Sequence, residues 1–283
     1  MLEAAVRRLV QARGSFPLRP FKRPLYAAYR AYVRSHRGRR VVARIDGLTY
    51  ELDLGEDIDS TIYFRGAWEP EALGTIREIV RPGMTVLDIG ANMGYFTLVF
   101  SQLVGDGGHV VAFEPIVWAL EKLRRNAELN RLVNVAIEPL ALSDARGERD
   151  VPADFGAFRA SWTTPGGSAR SGTERVRFDT LDAYVDRVGL SELHFVKIDV
   201  DGYELRVVRG AERTLRRHRP NMMIEIGRST MPLIGDDPRD LAYLLADLGY
   251  GFETQDRGTR FATADELLDW LPAPAANIYC EPR

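Results

Sequence analysis

Acidic side chains and glycines lie at the ends of two short apolar runs in the first half of the chain. Residues 84–96 read MTVLDIGANMGYF, where Asp88 lies two residues before the first of two glycines, Gly90 and Gly94. A second apolar run ends in Glu114. Such runs are typical of buried parallel strands, and a glycine turn that opens a helix brings backbone N–H groups close to a ligand. These residues predict a small-molecule site, with Glu114 placed to take the two hydroxyls of a ribose.

The spacing within the glycine turn separates two classes of cofactor. The turn reads G-x-N-x-G, whereas dinucleotide enzymes use G-x-G-x-x-G. An acid at Asp88 would serve no purpose beside a pyrophosphate, but it suits the cationic amino group of S-adenosylmethionine. The sequence therefore favours S-adenosylmethionine, and we expect a helix to begin at about Tyr95, which we also assign to the cofactor site.

Further acids follow two later apolar runs. Asp199 and Asp201 end the run LHFVKIDV, Glu204 opens the next predicted helix, and Glu225 ends the run NMMIEIG. Ligands of open parallel sheets bind beyond the carboxyl ends of the strands, so these acids lie where an acceptor would bind. Methyl transfer requires an aligned acceptor oxygen and a group that takes its proton. We therefore expect Asp199 or Glu225 to be the catalytic base.

Two other interpretations of these acids remain open. Asp199, Asp201 and Glu225 could hold a divalent cation such as Mg²⁺, which would orient and acidify the acceptor hydroxyl. Asp201 and Glu204 could instead cap the helix that begins near Gly202. Lys197 lies on the same strand face as Asp199, and its position in a buried strand predicts an ion pair.

Histidines are poorly placed to act as the base. His109 and His194 lie at the starts of predicted strands, His218 precedes the fifth strand, and His36 lies near the N-terminus. The strand starts are at the opposite edge of the sheet from the expected site. The sequence therefore predicts no histidine base.

An alternation of strands and helices from Met84 onward positions these groups. It predicts an α/β domain over residues 81–283 with a mostly parallel sheet of seven strands and helices on both faces. Before it, residues 41–54 predict a β-hairpin that turns at Asp46-Gly47. Residues 57–72 read as a polar, aromatic loop that leads into a helix of about residues 70–80, so residues 41–80 form a hairpin and a cap that precede the core.

One further predicted helix and one insertion complete the organisation. A single helix is predicted over residues 202–217. The Gly-, Ser- and Pro-rich residues 144–175 interrupt the alternation with aromatic side chains. A connection of this length predicts a lid or a substrate-binding insertion.

The first 40 residues form a strongly basic arm. They hold eleven Lys and Arg against one acid, Glu3, whereas the whole chain has a net charge of −2. Apolar residues at helical spacing predict short amphipathic helices over residues 2–13 and 24–36. Such an arm can contact an anionic membrane surface, nucleic acid or the acidic body of its own protein. We expect the last of these, or a peripheral membrane contact, rather than nucleic acid.

Composition narrows the class of protein. The 283-residue chain is 45% hydrophobic and 28% charged, as is ordinary for a globular protein, and no window resembles a membrane span or a signal peptide. We therefore expect a cytoplasmic protein, peripheral at the inner face of the membrane if the arm binds there. The single cysteine, Cys280, cannot form an internal disulfide and is predicted to be a buried strand residue. The sequence does not define an oligomeric state.

Five sequence strings together resemble the FkbM-type methyltransferases, S-adenosylmethionine-dependent O-methyltransferases with the Rossmann-like class I fold. The strings are WEPE (68–71), VLDIGANMGYFT (86–97), VVAFEP (110–115), ALSD (141–144) and VKIDVDGYELRVVRGAE (196–212). The resemblance implies a seven-stranded sheet whose last strand is antiparallel. It also implies roles for particular residues: the methionine part of the cofactor for Asp88, Gly90, Asn92 and Gly94, the ribose for Glu114, and the adenine for Leu142 and Ser143.

The acceptor class rests on the same resemblance. It implies methyl transfer to a hydroxyl of a small molecule, a sugar or a glycosylated natural product. One departure from the family pattern is the absence of a histidine after Glu225, where Ile226, Gly227 and Arg228 follow. Two alternatives are a nicotinamide-dependent oxidoreductase, which should not bind S-adenosylhomocysteine, and a non-catalytic module that binds a membrane or nucleic acid through the basic arm.

Overall fold

The computed structural model describes residue 35, residues 38–152 and residues 172–283. The helices predicted in the basic arm and the central part of the predicted insertion lie outside these residues. The chain divides into two compact units, Met1–Pro70 and Glu71–Arg283. Within the described ranges, no helix is both long and apolar enough to span a membrane.

The first unit contains the predicted hairpin, formed by β1 (Arg40–Ile45) and β2 (Leu48–Asp53). The prediction of a loop after the hairpin was wrong, because α1 (Asp57–Arg65) forms there. A carboxylate oxygen of Asp59 accepts a hydrogen bond from the Asp53 amide at 2.6 Å, and Gly66 ends the helix in the left-handed conformation. Its fully buried apolar side chains, Ile62 and Phe64, are two residues apart and do not form a helical stripe, so the sequence does not show helical periodicity.

The second unit alternates strands and helices. In chain order its elements are α2 (Pro70–Ile79), β3 (Thr85–Ile89), α3 (Tyr95–Val104), β4 (His109–Phe113), α4 (Val117–Leu129), β5 (Val135–Glu138), β6 (Ala141–Leu142), β7 (Gly147–Pro152), β8 (Thr173–Asp179), α5 (Leu181–Val188), β9 (Phe195–Ile198), α6 (Glu204–Arg209), α7 (Glu212–His218), β10 (Asn221–Ile226), a 3₁₀ helix (Met231–Ile234), α8 (Pro238–Asp247), β11 (Tyr250–Thr254), β12 (Arg260–Phe261), α9 (Ala264–Trp270) and β13 (Ala276–Pro282).

The main sheet of the second unit has the strand order β12-β11-β13-β10-β9-β3-β4-β5. Strands β5, β4, β3, β9 and β10 are parallel, whereas β13 runs antiparallel between β10 and β11. This confirms the α/β, Rossmann-like class I arrangement of seven strands with an antiparallel last strand. The short β12 adds an eighth strand at the edge.

A second, three-stranded sheet was not predicted. It has the order β6-β8-β7, so the expected third strand over residues 133–142 divides between two sheets. Residues 147–152 of the predicted insertion pair antiparallel with β8 instead of forming a loop. The register of β7 and β8 depends on pairing across a long gap in sequence, which local periodicity does not reveal.

The single helix predicted over residues 202–217 is in fact two helices, α6 and α7. The break falls at Gly210, where an added Cβ would lie 2.0 Å from the carbonyl oxygen of Ser143. Close approach of another backbone segment therefore requires glycine here and interrupts the helix.

The two faces of the main sheet differ in character. One face carries the apolar core, which includes Leu87, Val196 and Ile224 on adjacent strands. Cys280 lies in this core with no exposed surface, which confirms its predicted burial. The opposite face carries the polar residues of β3, β9 and β10 near their carboxyl ends, and α3 packs against it, with Phe100 beside Phe195.

Candidate functional site

The glycine turn between β3 and α3 forms the centre of the site. Gly90 has φ +85° and Gly94 has φ +90°, and both positions are sterically closed. A Cβ on Gly90 would lie 1.9 Å from the Asp199 carbonyl oxygen, and one on Gly94 would lie 2.5 Å from Leu123. The amides of Gly90 and Ala91 donate to the Phe113 carbonyl at 3.0 Å. The backbone conformation of the turn therefore requires glycine at both Gly90 and Gly94.

Asp88 lies beneath this turn rather than at its surface. Its side chain is only 1% exposed and accepts a hydrogen bond from Thr97 Oγ1 at 2.5 Å. Burial raises the pKa of Asp88, while the nearby Lys197 ammonium and the Thr97 hydroxyl act in the opposite direction. Asp88 thus joins β3 to α3. Tyr95, the first residue of α3, is also buried and meets Phe96 edge to face.

Glu114 ties the second strand end to the glycine turn. Its Oε2 accepts from the Asn92 amide at 2.8 Å, and its Oε1 accepts from the Ile116 amide at 2.9 Å. Asn92 has φ +48°, so this hydrogen bond stabilises a left-handed residue. The Glu114 side chain is 6% exposed, and this burial raises its pKa to about 7.

Two residues that the sequence analysis did not single out support the same corner. Asn126 on α4 donates from its side-chain amide to the Met93 carbonyl at 2.9 Å. Glu174 on β8 accepts from the Val117 amide at 2.9 Å and so caps the start of α4. An Asn among the apolar residues of a helix is a usable signal in the sequence, whereas the role of Glu174 depends on the position of the three-stranded sheet.

Leu142 and Ser143 lie at the end of β6. Leu142 packs in the apolar cluster that contains Ile89 and Phe113, the last residues of β3 and β4. Ser143 is 1% exposed, and its amide donates to the Asp179 carbonyl at 2.9 Å. Leu142 therefore shares a core cluster with the ends of the two strands that form the cofactor corner.

Asp199 follows β9 directly and contacts the glycine turn through its backbone. Its amide donates to the Ile89 carbonyl at 3.0 Å, and its side chain accepts from Lys197 Nζ at 2.8 Å. The Lys197 side chain is 3% exposed and lies 4.7 Å from the centre of the Phe96 ring. The predicted ion pair of Lys197 is therefore confirmed, and it holds the Asp199 carboxylate at the carboxyl end of the sheet.

Glu225 lies on the same face as this ion pair. The register of the parallel strands pairs Met223 with Lys197, and alternate residues of a strand share a face. On its other side, Glu225 is paired with Asn277 of β13, which is 8% exposed. The antiparallel pairing brings Asn277 to the same sheet edge as the candidate bases. The sequence analysis did not single out Asn277, because its position opposite Glu225 depends on the register of that pairing.

The metal interpretation is not borne out by the geometry. Among the described residues, no group of three or more His, Cys, Asp or Glu side chains is arranged to hold a metal ion. The structure therefore does not support the alternative in which Asp199, Asp201 and Glu225 hold Mg²⁺. One physical reason is that the Asp199 carboxylate is paired with Lys197.

Glu204 has the structural role that the alternative interpretation assigned to it. Its Oε1 accepts from the amides of Val200 and Gly202 at 3.1 and 3.0 Å. Its side chain is fully buried, and burial raises its pKa to about 7. Glu204 therefore closes the turn between β9 and α6.

Histidines in the described ranges lie at the opposite edge of the sheet, as predicted. His109 is the first residue of β4, and His218 is the last residue of α7, before β10. His194 precedes β9, and its Nδ1 accepts from the Thr85 amide at 3.0 Å. His36 lies outside the described residues.

The arrangement of strand order, glycine turn and strand-end acids defines a class I methyltransferase fold. The family model for the methyltransferase FkbM domain matches residues 88–252, more than half of the chain. The chain therefore belongs to the FkbM methyltransferase domain family.

Two curated relatives agree with this assignment. The chain is 29% identical over 161 residues to the 31-O-demethyl-FK506 methyltransferase FkbM of Streptomyces tacrolimicus, covering 47% of this chain and 61% of that protein. It is 29% identical over 153 residues to the 2-O-methyltransferase NoeI of Sinorhizobium fredii, covering 49% of this chain and 62% of that protein. The chain thus spans about three-fifths of the length of each of these relatives.

A solved structure and a shorter match complete the comparison. The crystal structure of an FkbM methyltransferase from Methylobacillus flagellatus has a TM-score of 0.44 and 15% identity, covering 90% of this chain and 58% of that one. A protein-L-isoaspartate O-methyltransferase from Methanothrix thermoacetophila is 43% identical over 58 residues, which is 20% of this chain and 28% of that protein. The family assignment does not depend on either.

Proposed function

We propose that this protein is an S-adenosylmethionine-dependent O-methyltransferase that methylates a hydroxyl of a small molecule. One observation supports this most directly: the glycine turn, Glu114 and Asp199 form one connected corner. Glu114 bonds to Asn92 in the turn, and the Asp199 carbonyl packs against Gly90. A cofactor corner and a candidate base are thereby adjacent at the carboxyl end of the sheet, where ligands of such folds bind.

The residues of this corner fit the cofactor. A carboxylate can accept about four hydrogen bonds. The Glu114 carboxylate accepts two, from the amides of Asn92 and Ile116. Two positions remain for the hydroxyls of a ribose. The turn from Gly90 to Gly94 has no side chain at its two glycines, so its backbone would lie against the methionine part of the cofactor. Asp88 beneath the turn would contribute negative charge toward the amino group.

The remaining predicted contacts complete the proposed cofactor site. Tyr95 would support the same turn from the start of α3, and Leu142 with Ser143 would border the adenine. Ser143 directly follows β6, and its amide donates to the Asp179 carbonyl at 2.9 Å, which fixes the backbone at this strand end.

The bound cofactor supplies an electrophilic methyl group on a sulfonium. The protein must then orient an acceptor hydroxyl and take its proton as the new C–O bond forms. Asp199 and Glu225 are the proposed bases, because both lie at the carboxyl edge on one face of the sheet. Lys197 would fix the orientation of Asp199 through their ion pair.

The acceptor is proposed to be a sugar or a glycosylated natural product. The two relatives are named as a 31-O-demethyl-FK506 methyltransferase and a 2-O-methyltransferase, and both names refer to methylation at an oxygen, which supports a hydroxyl acceptor. We further propose a cytoplasmic enzyme whose basic arm, residues 1–40, makes peripheral contact with an anionic membrane. In this organisation residues 41–80 precede a catalytic domain of residues 81–283, and residues 144–175 contribute to acceptor binding.

Calorimetric titration with S-adenosylhomocysteine tests the cofactor assignment. We expect saturable micromolar binding to the purified protein, with no change on adding Mg²⁺ or after treatment with EDTA. Methyl transfer to a panel of methyl glycosides of hexoses and 6-deoxyhexoses would then test the acceptor class. Absence of binding in a folded sample, or tighter binding of a nicotinamide dinucleotide, would contradict the proposal.

A further inference from the structure

Glu204 is a fully buried acid next to the candidate base. One carboxylate oxygen, Oε1, accepts from the amides of Val200 and Gly202, at 3.1 and 3.0 Å. The other oxygen, Oε2, is buried and has no hydrogen-bond partner. A buried carboxylate oxygen without a hydrogen bond raises the free energy of the folded state, so this position of Glu204 needs a specific explanation.

The two amides bonded to Glu204 belong to the turn that follows Asp199. Within this turn, Asp201 has φ +53° and Gly202 has φ +105°, so two consecutive residues adopt left-handed conformations. Such a backbone path is unfavourable for a non-glycine residue unless neighbouring groups hold it. Glu204 provides two hydrogen bonds that do so.

The same turn is in contact with the cofactor corner. The Asp199 carbonyl oxygen lies where a Cβ on Gly90 would be, and the Asp199 amide bonds to the Ile89 carbonyl. The glycine turn has its own anchors, namely the Phe113 carbonyl and the Glu114 carboxylate. Loss of Glu204 would therefore disturb Asp199 more than it would disturb the cofactor turn.

We propose that Glu204 is a positioning residue for methyl transfer, which fixes the turn over residues 199–203 so that Asp199 is held beside the glycine turn. This inference rests on the proposed function and adds a residue to it. In this role, the Glu204 side chain must be long enough to reach the two amides and must carry a hydrogen-bond acceptor, but it need not be negatively charged. Burial raises the pKa of Glu204 to about 7, in keeping with a carboxyl that serves in its neutral form as well.

Three variants test this proposal. Glu204→Gln keeps an oxygen that can accept from both amides, whereas Glu204→Met has a similar length and no strong acceptor. Thr263→Ala is the control, because it removes the side-chain cap of α9, where Thr263 accepts from the Glu266 amide at 3.2 Å. The control lowers stability without contacting the site.

Hydrogen exchange of the full-length protein measures the turn directly. We expect the amides of Val200 and Gly202 to exchange at least tenfold faster in Glu204→Met than in the wild type or in Glu204→Gln. Equal exchange in all three proteins would overturn the proposal. This measurement does not require catalytic activity, so it remains decisive if the wild type neither binds S-adenosylhomocysteine nor transfers methyl groups, which would contradict the proposed function instead.

Steady-state turnover with the best methyl glycoside of the panel measures the consequence. In folded Glu204→Met, kcat should fall at least tenfold while the KM for S-adenosylmethionine changes less than threefold, and Glu204→Gln should restore most of kcat. Thr263→Ala should unfold at a lower temperature with unchanged kcat. A purely structural role would give Glu204→Met the same pattern as this control, and that result would also overturn the proposal.

Discussion

Cofactor affinity should depend on pH through Glu114. This carboxyl is 6% exposed, and its pKa is raised to about 7 because burial disfavours the charged form. The ionised form accepts hydrogen bonds at both oxygens, so it is the form that can bind the two ribose hydroxyls while it keeps the amides of Asn92 and Ile116. Binding of S-adenosylhomocysteine should therefore strengthen as the pH rises through about 7.

The expected size follows from the fraction of Glu114 that is ionised. With a pKa of about 7, roughly a tenth of the free protein is ionised at pH 6 and roughly nine-tenths at pH 8. If only the ionised form binds, the dissociation constant at pH 6 should be about tenfold higher than at pH 8. Binding should also release a proton near pH 7, which makes the measured enthalpy depend on the buffer.

Stability should depend on pH in the opposite direction. A carboxyl with a raised pKa binds its proton more tightly in the folded protein than in the unfolded chain. Its contribution is complete below about pH 4.5 and is lost as the pH rises through about 7. The shift from 4.5 to about 7 corresponds to about 3 kcal/mol. In Glu114→Gln this part of the pH dependence of the free energy of unfolding should disappear.

Calorimetric titrations at pH 6, 7 and 8 and constant ionic strength would measure the affinity, and urea unfolding at the same pH values would measure stability. Glu114→Gln should bind weakly at every pH, since one of the two backbone amides then faces an NH₂ group. Glu204→Gln is the matched control: it removes the other acid with a pKa of about 7 and should keep the pH dependence of binding. A wild-type affinity that is constant from pH 6 to pH 8 would refute the assignment of Glu114.

Three substitutions test other parts of the site. Gly90→Ala should abolish S-adenosylhomocysteine binding, because its Cβ would lie 1.9 Å from the Asp199 carbonyl oxygen. Gly74→Ala, where the space is open, should bind normally and raise the free energy of unfolding by about 0.5–1 kcal/mol. Lys197→Met should lower the free energy of unfolding in urea by about 1.5 kcal/mol, since the partly exposed Asp199 loses a charged hydrogen-bond donor; no change would contradict the importance of the pair. Glu225→Gln should preserve calorimetric binding but slow methyl transfer at least tenfold, and normal turnover would exclude Glu225 as the base.

Local sequence signals were sufficient for most of the fold. Alternating apolar runs and glycine turns placed the parallel strands, and Asp46-Gly47 placed the hairpin turn. Helix α1 was missed because its buried apolar residues, Ile62 and Phe64, do not follow helical spacing. The break between α6 and α7 was missed because it depends on Ser143, which approaches Gly210 from a distant part of the sequence.

The residues of the candidate site fall into the same two groups: those with a local sequence signal and those whose position depends on distant parts of the chain. Glu114 and the glycine turn could be identified from the sequence, because strand ends and glycine spacing carry their signal locally. The supporting contacts of Glu174 and the position of Asn277 depend on how strands pair, and pairing is not encoded in any single segment. The metal alternative was not supported for a related reason. Acids that follow neighbouring strands need not be arranged as a group of metal ligands, and the described residues contain no such group.

The rate at which a thiol reagent labels the single cysteine, Cys280, can report unfolding of the protein. Cys280 lies in β13 between β10 and β11, has no exposed surface, and has a pKa raised by burial, so a thiol reagent cannot reach it in the folded chain. The reagent can label Cys280 only after β13 has separated from the sheet. Because Asn277 and Glu225 pair through the same strand, the labelling rate reports how often this edge of the site opens. A ligand that stabilises the folded state against this opening should slow labelling in proportion, without any engineered probe.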